Sequence, residues 1–529
     1  MRKPLLALLL FALVFSLPLF STMGKEEGKF IGAGNGRTLY VGGDGPGNYS
    51  TIQEALNHAE DGDTIFVYSG HYKTKGYMIS IFKSIRLLGE DRDTTIIDND
   101  NTPLAIQADG VRIENFTIKN GGVYNDGLQV NYVENIFIHN CTVSNSYIGI
   151  NVQGSSNVEI SHCSLFSNNE SISIAYSSHI RVKNCISHSN KRGLKISNSV
   201  DSSVHNCDFK GEGVLITGDV EEINQFIVDM ENNYVNGKPL LYYHGESNVV
   251  LDGTDAGEII IVDCKNFEIK NMDISNTDVG IEIIKGERMT ISNCSFHHNN
   301  YRGIEGGYIF NSHISNCGVY DNGQEGIQLS YARDNVINDC NVYLNGGTGI
   351  VLSDSYNTLI SHCNIYGNTM HGISIVSLSS NEKNNISYCD IHDNEKGISI
   401  FYSSGNVIYN NNISSNNIGI SLWGGSKYNI IRRCNIHSNH EGVEIGMYLI
   451  EIFLIHAPMA MEDVIYQNNF IDNDIHAYFF NVCHITWDSN YWDDWKGYGR
   501  KIIRGDILTL YVPILPLINF DKNPAEEPW

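Results

Sequence analysis

Ten of the chain's twelve cysteines recur at one place in a repeat. Cys141, Cys163, Cys185 and Cys207 are 22 residues apart; Cys294, Cys317, Cys340 and Cys363 are 23 apart, with Cys389 and Cys434 following. A constant period of this size means one supersecondary unit copied and stacked. Each coil, such as INVQGSSNVEISHCSLFSNNES (150–171), carries three short alternating segments: Ile150-x-Val152, Val158-x-Ile160 and Cys163-x-Leu165. Alternation with period two marks half-buried strands. The Gly, Asn and Ser between them suit tight turns that need φ > 0. Three strands and three turns per coil predict an all-β chain, a single-stranded right-handed parallel β-helix. It would have about 12–14 coils and a length of roughly 60 Å. The leucine pattern of leucine-rich repeats is missing, as is any 3.6-residue period.

The stack has readable ends. Residues 1–24 read as a secretory signal, with Arg2 and Lys3 ahead of an apolar run from Leu5 to Phe20; an uncleaved membrane anchor is the alternative. Residues 38–100 hold an N-terminal cap and the first coils. Within them, Ser50 and Gln53 predict a capping box, and Ile52, Ala55, Leu56 and Ala59 share one helical face. Coils follow over 101–213 and 259–477, separated by 214–258, an insertion in which NGKPLLYYHGESN (236–248) predicts a hairpin or projecting loop. Residues 478–529, with the aromatic NYWDDWKGYG (490–499), predict a C-terminal cap and tail over the strand edges that a β-helix leaves open.

With 35 Lys+Arg against 60 Asp+Glu, the chain lacks the basic surface that nucleic acid requires. The segments 48–72 and 490–495, the NGKPL insertion and the coils together resemble the NosD-like, pectate-lyase-like β-helix family of carbohydrate-binding and sugar-hydrolysis repeats. That resemblance implies an exported or cell-surface protein whose partner is a polysaccharide or glycoprotein. It also implies two alternatives: a polysaccharide-active lyase, hydrolase or epimerase, or a copper-delivery accessory protein. Whether the chain is catalytic, and its oligomeric state, are not legible in these residues.

The cysteine column offers either a thiolate metal array or a stack of small core side chains. Phe116, Met272 and Asn411 stand at the same position in other coils, which favours a structural core ladder of free thiols. No Cys-x-x-Cys, His-x-His or Asp cluster marks a copper, zinc or calcium site, so no cofactor is expected. A second column, just before the recurring glycine, contains Asp126, Glu170, Arg302, Glu325 and His371. It reads as a solvent-facing ladder of alternating charges, or as a glycan-facing strip. In the strip reading Arg302, Glu325 and His371 are candidate catalytic groups, with Tyr301 and Gln324 beside them to bind. Asp126 and Glu170 are two rungs, about 9–10 Å, apart, a spacing compatible with an inverting carboxylate pair. Tyr242 and Tyr243 in the insertion, and Trp423 in a late coil, are candidate sugar-stacking platforms.

Overall fold

Each rung buries the inner residues of its three strands and repeats them in register. Ile281, Ile304, Ile327, Ile350, Ile373, Ile398, Ile420 and Val443 pair across successive parallel strands, all fully buried. Each such side chain contributes about 1.5–3 kcal/mol of burial. The computed structural model describes residues 36–377, 383–447, 459–509 and 512–529; the expected signal segment 1–24 lies outside them. The unit Ala33–Trp529 is an all-β right-handed parallel solenoid of about 20 turns. That exceeds the 12–14 expected, because rungs near both ends pair in the same way without carrying the cysteine. Among the described strands, pairings are parallel except at two hairpins, 234–244 and 501–521.

The helix Ile52–His58 covers the first rungs, burying Ile52, Ala55 and Leu56. Its N-cap is Thr51 rather than Ser50: Thr51 Oγ1 accepts Glu54 N–H at 3.2 Å, and Glu54 reaches back to Ser50 N–H. The helix begins one residue later than the sequence signal, and Glu54 stands where the box requires it.

The residue before each column cysteine adopts left-handed backbone, with φ from 51° to 56° at Asn140, His162, Asn184, Asn293, Asp339 and His362. His162 and His362 are therefore turn residues in a position that Asn usually fills. The recurring glycine has a different cause. A Cβ on Gly349 would sit 2.6 Å from Gly372 O, and one on Gly372 would sit 2.6 Å from Gly397 O. Successive rungs approach too closely there for any side chain.

Inside the turn five residues beyond the column runs a buried asparagine ladder: Asn299, Asn322, Asn345, Asn368, Asn394, Asn416, Asn439 and Asn473. From Asn322 onward each Oδ1 accepts the backbone N–H and the amide of the residue one rung back, as Asn345 does from Asn322 at 3.2 and 2.9 Å, while Asn299 accepts Thr277 N–H. Buried amides at this depth must be satisfied, and the ladder satisfies them with copies of themselves. Shorter ladders end on an acid that only needs to accept: Asn168–Asn190 on Glu212, Asn406–Asn429 on Asp463, and Asn468–Asn490 on Asp521.

The solenoid contains two hydrophobic cores, one spanning Leu39 to Ile284 and the other Leu251 to Ile503. They meet along the strands Glu258–Val262 and Val279–Ile284, which give Ile259, Ile261, Ile281 and Ile283 to the second core and Ile260, Val262 and Ile284 to the first. The segment 236–248, expected to form a hairpin or projecting loop, begins with a short hairpin that leads into the second stack. The chain turns at Asn236-Gly237, and Lys238–His244 becomes the first strand of the second stack, pairing with Glu258–Val262. Its apolar residues are needed to start a new core. No helix among the described residues is long and apolar enough to cross a membrane.

Candidate functional site in the C-terminal cleft

The ten column cysteines are free and buried. Cys340, for example, donates its thiol to Asn338 O at 3.3 Å and Ile314 O at 3.8 Å. Burial also pushes the Cys434 thiol up to about 11.

The second column, expected to face solvent, is largely enclosed. Asp126 and Glu170 are buried. Asp126 Oδ2 accepts from Gln129 and Asn151, both at 2.9 Å. These positions open or adjoin strands at a solenoid corner, where neighbouring rungs cover them, so the pair has no space for a sugar between its carboxyls. Arg302 is also engaged. Its guanidinium donates to Glu325 at 2.7 Å and Glu305 at 2.9 Å and lies over the Tyr301 ring at 4.1 Å, which leaves no free fork for a uronate. Gln324 is an exposed turn residue. His371 lies three rungs beyond Arg302, too far to act on the same atom. Burial and the neighbouring Lys396 hold it down to about 4, so it is a neutral imidazole at ordinary pH.

The expected platforms are engaged by neighbouring groups. Tyr242 donates its hydroxyl to Phe226 O at 3.0 Å, and Tyr243 meets Phe267 edge-on at 5.3 Å. Trp423 donates to Glu444 at 2.7 Å, with Lys396 Nζ 4.5 Å above its ring. On the ten-stranded sheet His297, Tyr320, Tyr343, Tyr366 and His392 stack on one another at 4.8–4.9 Å, so their ring faces cover each other instead of a sugar.

The side chains that do converge around open space lie past the last full rung. A cleft of about 810 Å³ is bounded by the strand Ile475–Phe480, the segment from Trp492 to Tyr498, and the start of the strand Lys501–Thr509. Trp492 forms its floor, stacked on Phe470 at 4.1 Å and tied to Asp521 Oδ2 by its indole N–H at 3.0 Å. His476, with its side chain 9% exposed, faces Asp493 Oδ1 at 2.7 Å and Asp494 Oδ1 at 3.5 Å. Asp472 N–H holds the other Asp493 oxygen at 2.6 Å. Lys501 pairs with Asp494 at 2.5 Å and lies 5.5 Å from the Trp492 ring centre. Trp495, Tyr498, Lys496, Arg500 and Arg504 complete the lining, and the buried Trp495 Nε1 is without a partner.

The proton on His476 is placed by the asparagine ladder. Asn473 Oδ1 accepts two N–H groups from Asn439, which leaves Asn473 Nδ2 as a donor to Ile436 O at 2.8 Å and to His476 Nδ1 at 3.3 Å. Nδ1 is therefore the acceptor, and Nε2–H points at Asp493. Among the described residues His476, Asp493 and Asp494 are the one group spaced to hold a metal ion. A cation there would have to displace both the Nε2 proton and Lys501. The sequence signal for this site was Asp493-Asp494 flanked by Trp492 and Trp495; His476, 17 residues earlier, carried none.

The family model described as right handed beta helix region matches residues 90–256, 240–385 and 374–511. No curated protein matches the sequence. Among solved structures, the mannuronan C-5 epimerase AlgE6 A-module of Azotobacter vinelandii is 14% identical, over 82% of this chain and 92% of its own, with a TM-score of 0.35. A pectin methylesterase from Aspergillus niger is 17% identical over 47% of this chain and 85% of its own, with a TM-score of 0.27. The catalytic domain of a GH87 α-1,3-glucanase is 10% identical over 85% and 67%, with a TM-score of 0.29.

Proposed function

This chain belongs to the right-handed β-helix family, and we propose that it binds polysaccharide in the cleft at the C-terminal end of its solenoid. One observation carries the reading: the convergence of Trp495 and Tyr498, over a floor set by the buried Trp492, with both signs of charge (Asp493, Asp494, Arg500, Lys501) around one open volume. Sugar rings offer apolar faces and a rim of hydroxyls, and such a lining answers both. The protein works outside the cytoplasm in this reading, supported by the Arg2-Lys3 and apolar N-terminal segment. Turnover of the bound chain is a second reading, favoured by the adjacent carboxyls of Asp493 and Asp494 beside a histidine of fixed tautomer, groups able to hold or move a proton.

The test is affinity electrophoresis against a panel of acidic and neutral polysaccharides, with reducing ends and unsaturated uronates assayed on the same samples. Binding by at least one polymer, weakened about tenfold or more in Trp495→Ala and Tyr498→Ala, supports the reading; each tenfold corresponds to about 1.4 kcal/mol. Retardation by none, or retardation indifferent to both substitutions, overturns it. New reducing ends or double bonds that disappear in Asp494→Asn establish turnover.

A further inference from the structure

Between the two stacks the rung-to-rung ladder of one sheet stops. Val214–Thr217 is the terminal strand of its seven-stranded sheet, and its amides meet side chains instead of a further strand. Val214 N–H donates to Glu258 Oε2 at 2.9 Å, and Ile216 N–H donates to Glu282 Oε2 at 3.2 Å. Gly193 N–H, on the neighbouring strand, donates to Asp278 Oδ2 at 2.8 Å. All three acids belong to the second stack, and all three are 0–2% exposed. An open strand edge requires a cover, and here carboxyl groups supply it.

The charges facing this seam do not balance. Asp278 faces Arg192; Glu282 faces Arg302, Glu305 and Glu258; Asp278 also faces Glu258 and Glu212; and the Tyr242 hydroxyl lies near Glu282. Arg302 is already paired with Glu305 and Glu325. So many carboxyls closed off from water cannot all be ionised. Glu258 Oε1 and Thr277 Oγ1 are buried beside one another with no other partner, and among the described residues no cation is paired with Glu258. The first hydrophobic core reaches across the seam only as far as Ile260, Val262 and Ile284 of the second stack.

We propose that this seam is a proton-held joint: Glu258 and Glu282 accept from the terminal strand of the first stack while protonation spares the seam their buried charges, and their ionisation brings mutual repulsion and a need for water that opens it, so that the stacks become separable as pH rises. Burial pushes Asp278 up to about 6 and Glu212 up to about 7, and it holds Glu258 and Glu282 well above the usual carboxylate range. The native joint thus retains protons that the unfolded chain releases above pH ~4–4.5. Its stability is complete below that range and is lost as pH rises through 6–7 and beyond.

Hydrogen exchange on the full chain tests this. Protection of amides in 193–216 is compared with that of rungs 327–376 from about pH 5 to about pH 9, corrected for intrinsic exchange. The expected result is a fall of about tenfold or more in that ratio for the wild type. A Glu258→Gln/Glu282→Gln variant, which keeps acceptor oxygens without a charge to gain, should give a flatter profile. A flat ratio in the wild type overturns the proposal by itself, whatever the variants do. So does an undiminished fall in the variant, or in Glu282→Gln alone if the double variant does not fold.

Discussion

Asn473 Nδ2 donates to His476 Nδ1 at 3.3 Å, and this bond joins the solenoid's buried amide ladder to the group that lines its open end. Replacing Asn473 by Asp puts an acceptor against an acceptor. The expected outcome is loss of the fixed Nε2–H tautomer, visible in the ring nitrogen chemical shifts, with destabilisation of about 1–3 kcal/mol from the broken buried network. Unchanged ring shifts would show that Asp493 alone sets the tautomer.

Gly349 lies where two rungs touch, and a Cβ there would sit 2.6 Å from Gly372 O. Gly349→Ala should destabilise by about 1–3 kcal/mol, because neither backbone can move without disturbing the rungs beyond it. Gly497 has a φ of 79°, and a Cβ added to it would meet nothing within 4 Å. Changing it to Asn, which tolerates that conformation, should cost less. Thermal denaturation of the two variants checks the order.

The column thiols are enclosed and donate to carbonyls, and against a lowering bond to Cys294 the Cys340 thiol and burial raise Cys317 to about 12. A thiol reagent at neutral pH should leave the ten column cysteines unmodified in the native protein and label all twelve cysteines after denaturation without reductant. Fewer than twelve labelled after denaturation would reveal disulfides.

His371 is held at about 4, below its unfolded value near 6.5. The native state therefore resists taking up its proton. Stability from this residue is fully present above about pH 6.5 and is lost as pH falls toward 4, by an amount on the order of 2–3 kcal/mol. His371→Gln should flatten that part of the acid unfolding curve; an unchanged curve would place the acid sensitivity elsewhere.

The architecture was legible because its cause is local. Ile150-x-Val152 alternation and an αL turn residue before each cysteine recur often enough to define a rung. The ladder of Asn299 to Asn473 was equally visible, five residues after each column position, yet it reads as turn composition until the amides are seen to face inward. Exposure was the harder inference. Asp126, Glu170 and Arg302 have surface chemistry but corner geometry, and corner burial depends on the rungs above and below. The cleft was least legible, since His476 and Asp493 meet only through the way the chain closes its last turn.

The amide ladder has a consequence for how such a chain can vary. Asn345 contacts an asparagine on each side, so excising or duplicating a whole rung would restore the same contacts at the new junction. The number of rungs is thus free to drift. Glu212, Asp463 and Asp521 are different: each has a ladder on one side only, and each fixes where counting stops. A lengthened or shortened descendant of this molecule would change its middle freely and keep its terminating acids.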